Sequence, residues 1–96
     1  MGKKRTASSP SSEPLVRHHF MVQDKASKRS LKALGQNLNR LRNEAKLSQD
    51  ALAVKADVTK RYIQMIEAGQ KCPTLFTLKR LSEALDCQYN ALLAGF

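Results

Sequence analysis

The sequence predicts an all-α domain of five short helices behind a basic leader. Three observations carry that reading. From Leu31 onward, leucines recur at three- and four-residue steps. Ser or Thr stands where a helix N-cap belongs before three of these segments, and no stretch alternates apolar and polar residues long enough to make a strand.

The first helix is read from Leu31 to near Lys46. On a wheel of 100° per residue, Leu31, Leu34, Leu38, Leu41 and Ala45 share one stripe about 80° wide. Ser48 caps the second, "QDALAVKA", with Asp50 in the first turn, where a negative charge suits the helix dipole. Thr59 caps the third, about 59–68, and Pro73 stops whatever precedes it. Thr74 caps the fourth, whose Leu75, Leu78, Leu81 and Leu85 make another single stripe; Phe76 falls about 100° from Leu75. Phe76 therefore either packs on a neighbouring loop or meets another protein. Tyr89, Leu92, Leu93 and Phe96 complete a short fifth helix, so the folded domain is expected over 31–96.

Residues 1–30 differ in kind. "TASSPSSEP" has too little apolar area to offset its ordering entropy, so this leader is expected to be disordered. Residues 1–34 hold eight Lys/Arg against two acids, and 35–96 hold nine against six, so most of the net charge of +9 lies at the N-terminal end. That balance favours polyanionic partners. No apolar run approaches the roughly 20 residues that span a bilayer, and no signal-peptide core is present, so a cytoplasmic, nucleoid-associated protein is expected. Cys72 and Cys87 stand far apart with no His beside either, and His18 and His19 have no further ligand in view. Both cysteines are read as reduced thiols, with neither metal nor cofactor expected. No nucleophile–base set or Gly-rich phosphate loop points to an enzyme.

The third helix has two faces. With Lys60 at 0°, Gln64, Ala68, Arg61 and Met65 fall within about 140°, opposite Tyr62, Ile66 and Ile63. Lys60 and Arg61 sit where the helix dipole is already positive, costing a few tenths of a kcal/mol each. A duplex would justify them. In the major groove, cations at this end meet guanine O6/N7 or phosphate, and a good bidentate base contact discriminates by about 1–3 kcal/mol. Gln64 suits adenine and Met65 a thymine methyl. Charged helix faces are most often plain solvated surface, and the wheel alone leaves that reading open.

Four spaced features occur together in order: "LRNEAKLSQDALA", "V-T-x-x-Y-I", "I-E-x-G-x-x-x-P-T-L" and "L-x-x-L-S-E-A-L". From about Leu34 to Leu93 the chain resembles the Xre/Cro helix-turn-helix family of lambda-repressor-like transcriptional regulators. The resemblance implies double-stranded DNA as partner, with base contacts from Lys60, Arg61 and Met65, to which the wheel adds Gln64. It places Ser48, Gln49, Thr59, Tyr62, Gln70 and Lys71 at phosphates. It implies a structural pair of Arg42 with Glu67, and a homodimer through Tyr89, Leu92, Leu93 and Phe96, which equally suit closure of the core. Two departures stand out: Asp57 replaces the usual turn Gly, and Asp86 ends the fourth helix where Gly or Asn is common. Asp tolerates the left-handed region better than most residues, though its charge is unfavourable at a helix C-terminus. The function expected is a sequence-specific regulator; the alternative is an antitoxin-like or adaptor module whose main partner is a protein.

Overall fold

The computed structural model describes residues 25–96. Five helices follow in order: α1 Lys25–Glu44, α2 Gln49–Ala56, α3 Lys60–Glu67, α4 Leu75–Leu85 and α5 Tyr89–Leu93. The described residues contain no strand. Residues 1–24, which include His18, His19 and most of the expected leader, lie outside the described part.

Helix starts follow the predicted caps. The hydroxyl oxygens of Ser48, Thr59 and Thr74 accept the backbone N–H of Ala51, Tyr62 and Thr77. Each bond satisfies one of the donors that a helix N-terminus leaves unpaired, and replacing such a cap with Ala typically costs about 1 kcal/mol. Gln88 stands at the N-cap of α5 without a side-chain bond. Helices α1, α2 and α4 end through non-glycine residues in the left-handed region: Lys46 at φ 60, Asp57 at φ 57 and Asp86 at φ 52. The two aspartates thus adopt the conformation that glycine would supply more cheaply.

α1 differs from the sequence reading at its start. It begins at Lys25, so the expected boundary between residues 30 and 31 falls inside a helix. The segment 25–30 is rich in cations and Ser and buries little, so apolar periodicity does not detect it. The C-terminal segment instead packs alongside α1. Ser30 Oγ donates to the Phe96 carbonyl, and the Asn37 amide donates to the carbonyls of Leu92 (2.8 Å) and Ala94 (2.7 Å).

α1 packs on α3 and α5, α2 on α3 and α4, and α4 on α5. Their shared core holds Leu34, Leu38, Leu52, Ile63, Ile66, Leu81 and Leu92, all essentially inaccessible. Full burial of each such side chain is worth about 1.5–3 kcal/mol. α1 and α3 cross closely at Gly35, where a Cβ would stand 2.5 Å from the Ile66 carbonyl oxygen and 2.6 Å from that of Glu67. α1 and α3 approach this closely only because Gly35 has no side chain.

Two positions on the expected stripes are left uncovered, Ala45 just past the end of α1 and Leu75 at the start of α4. Leu75, the first residue of α4, is 82% exposed, whereas Leu78, Leu81 and Leu85 are buried as expected. Phe76 is 76% exposed, so no neighbouring loop covers it and the packing explanation fails.

Candidate nucleic-acid interface

α3 presents the two faces expected of it. Ile63 and Ile66 are fully buried and Tyr62 packs against the core, while Lys60 and Arg61 are exposed and Gln64 and Met65 half-buried. The link from α2 to α3 is short: α2 ends at Ala56, Asp57 turns the chain, and Thr59 caps α3. The Asp57 N–H bonds to the Val54 carbonyl and that of Val58 to the Ala53 carbonyl, which closes α2 tightly and fixes the angle at which α3 leaves.

The far end of α3 is anchored by a carboxylate. Glu67 receives Arg42 Nε at 2.6 Å and Arg42 Nη2 at 3.2 Å, in a bidentate pair whose side chains are only 11% (Arg42) and 7% (Glu67) exposed. Asn39 and Gln49 each donate a further bond to Glu67 Oε1 at 3.1 Å, and Arg42 Nη1 reaches the Leu47 carbonyl at 2.9 Å. Burial by itself raises the Glu67 pKa. The bonds from Arg42, Asn39 and Gln49, with the charge of Arg42, outweigh it and hold the carboxyl below its ordinary value of 4.5. One carboxylate therefore ties together α1, the start of α2 and the end of α3. The Arg42–Glu67 pairing appears where the resemblance implies it; the bonds from Asn39 and Gln49 are additional to that expectation.

Lys60 has a partner that helical spacing does not reveal. Its Nζ lies 3.6 Å from Asp50 Oδ2, with both side chains well exposed. An exposed pair of this kind is worth about 0–1 kcal/mol and yields readily to a stronger anion. It relieves part of the dipole conflict at the start of α3 without covering the helix. Spacing places Asp50 in the first turn of α2, but only the angle between α2 and α3 brings it to Lys60.

Most of the residues expected at phosphates border this face. Ser48 and Thr59 are exposed caps at the starts of α2 and α3, and Gln70 and Lys71 are exposed in the loop after α3. Lys71 Nζ lies 6.0 Å from the centre of the Tyr62 ring, which joins that loop to α3. Gln49 is half-buried, its amide already bonded to Glu67.

A helix-turn-helix family model matches residues 38–92, which covers the last turns of α1, then α2, the turn, α3 and α4. The chain belongs to the helix-turn-helix family. As a member of it, the chain carries the DNA-binding domain of a transcriptional regulator, and it is not an enzyme. It is 32% identical over 62 residues to the uncharacterized HTH-type transcriptional regulator y4dJ of Sinorhizobium fredii, covering 65% of this chain and 80% of that protein. It is 37% identical over 60 residues to the immunity repressor protein of Bacillus phage phi105, covering 62% of this chain but only 42% of that protein. Among solved structures it resembles the restriction-modification controller protein C.AhdI from Aeromonas hydrophila, with a TM-score of 0.63 and 34% identity, covering 65% of this chain and 94% of that one.

The helix-turn-helix fold also sorts the expected dimer contacts. Tyr89 and Phe96 are exposed and Leu93 is half-buried, whereas Leu92 is fully buried. Leu92 is thus a core residue with no surface to offer a partner, so of its two readings core closure holds and the dimer contact does not. An open apolar groove of about 430 Å³ lies instead among Leu75, Phe76, Leu78, Lys79, Tyr89 and Leu93. The described residues include no cluster suited to a metal and no helix long and apolar enough to cross a membrane, and both Cys72 and Cys87 are free thiols.

Proposed function

We propose that this helix-turn-helix chain is a sequence-specific DNA-binding regulator that lays the exposed face of α3 in the major groove. The observation that carries the proposal is the row of exposed Lys60 and Arg61 with half-buried Gln64 and Met65, opposite a fully buried Ile63/Ile66 face. In this reading Lys60 exchanges Asp50 for a base edge or phosphate, and Arg61 and Gln64 read purine edges. The caps Ser48 and Thr59, with Gln49, Tyr62, Gln70 and Lys71, set the register on the backbone. Gln49 keeps its bond to Glu67 and turns its remaining amide hydrogen to phosphate.

The chain acts as a homodimer on an inverted repeat, its two copies joined through the apolar groove beside Phe76. Two recognition helices then stand about 34–36 Å apart, one turn of the duplex. The exposed Phe76 also suits a different protein, and a stoichiometric foreign partner covering that groove would favour an adaptor role. Work on the nucleoid in the cytoplasm follows from DNA binding, and the four cations of residues 1–24 add sequence-independent affinity.

Selection from a random duplex pool tests this. A palindromic site should emerge, and Lys60→Ala/Arg61→Ala should lose most of the preference for it. Recovery of no enriched site, with wild type and variant binding equally, refutes it.

A further inference from the structure

A groove of about 860 Å³ runs between the first turns of α1 and the loop after α3. Lys28, Lys32 and Gln36 line it from α1, and Gln70 and Lys71 from the loop. On the helix wheel Lys25, Lys28, Lys32 and Gln36 fall in one stripe about 80° wide, with Arg29 beside it. α1 thus turns a continuous basic face towards this loop. The loop lies against the helix at Gly69, whose φ of 76 suits glycine and where a Cβ would stand at van der Waals distance, 3.5 Å, from the Lys32 Cα.

The groove is positively charged. Glu67 also lines it, but its carboxylate is taken up by Arg42, Asn39 and Gln49. Neither Lys28 nor Lys32 belongs to an ion pair among the described residues. Two unpaired ammonium groups one helical turn apart repel each other, and a polyanion lying between them and Lys71 removes that repulsion. The groove is also continuous with α3, because Lys71 both lines it and lies over the Tyr62 ring.

We infer that Lys28 and Lys32 form a second DNA contact, a seat for the sugar-phosphate backbone of the duplex beside the bases read by α3. The inference rests on the DNA-binding reading above and extends the interface from the helix-turn-helix onto the start of α1. A lysine meets phosphate as a point charge and carries no base information, so this seat contributes affinity and leaves sequence preference alone. An acidic protein is the weaker occupant, since the groove adjoins the face offered to the duplex.

The test compares the full chain with Lys28→Gln/Lys32→Gln, using a long mixed-sequence duplex and the selected site, across a salt series. Gln preserves helix propensity, and both positions are exposed, so folding is retained. Loss of two phosphate contacts should lower the log–log salt slope by about 1.8, or about 60-fold in affinity at 0.1 M salt if the proteins converge near 1 M. The ratio of affinities for the two duplexes should not change, and Arg80→Gln on α4 should leave the slope as it is. An unchanged slope in the double variant, with wild type still bound, overturns the seat and spares the α3 reading. Failure of wild type to bind either duplex overturns both.

Discussion

Replacing Gly35 with Ala tests the contact that sets α3 on α1. The added Cβ would lie 2.5 Å from the Ile66 oxygen, 2.6 Å from the Glu67 oxygen and 3.0 Å from the Glu67 carbonyl carbon. Carbon–oxygen contacts settle at about 3.3–3.6 Å, so the end of α3 must retreat by about 0.8–1.1 Å. The obstacles are backbone atoms and cannot rotate aside. Overpacking of this kind costs about 1–3 kcal/mol, or more, while Ala regains up to about 1 kcal/mol of helix propensity. Retreat also stretches the 2.6 Å bond between Arg42 and Glu67. The net expectation is a loss of about 1–2 kcal/mol. With a denaturant slope near 1 kcal/mol/M for so small a domain, the urea midpoint followed by circular dichroism should drop by about 1–2 M. DNA affinity should weaken too, although Lys60 and Arg61 are untouched. A midpoint that stays or rises would mean that helix propensity outweighs the clash, and that this crossing does not position α3.

Two further outcomes follow from the same physics. The Glu67 carboxyl is held below its ordinary value in the folded state, so its contribution to stability is present above about pH 5 and fades as pH falls through the folded pKa. Glu67→Gln should cost about 1–3 kcal/mol at neutral pH and flatten the loss of stability on acidification below about pH 5, and an equally steep acid dependence in the variant would place the titration elsewhere. Asp57 occupies φ 57 at the C-terminus of α2, so Asp57→Gly removes left-handed strain and an unfavourable charge. A gain of about 0.5–1 kcal/mol, or about 2–8 °C in Tm by calorimetry, is expected, and a Tm that falls would refute the strain argument.

The elements defined by short-range chemistry are legible in the sequence alone. α2 spans "QDALAVKA" as its cap and spacing predict, and Ser48, Thr59 and Thr74 each cap the expected helix. Leu34, Leu38, Leu78, Leu81 and Leu85 are buried as their spacing requires. The start of α1 is not legible, because the turns from Lys25 to Ser30 are helical with little burial to mark them. Gly35 carries one signal that periodicity passes over, a glycine inside an apolar helical repeat, which often marks a close approach of backbones.

What the sequence determined by itself was the presence of the helices, the caps of α2, α3 and α4, the buried leucine stripes and the polar face of α3, since these depend on neighbours within about four residues. What only the tertiary structure decided was which outward positions meet and which inward ones stay bare. Asp50 reaches Lys60, and Gln49 and Asn39 converge on Glu67; Leu92 is sealed while Leu75 and Phe76 stand open. These depend on how helices cross, and a crossing is set by contacts such as that of Gly35 with Ile66, between residues far apart in the chain, where spacing along one helix carries no information.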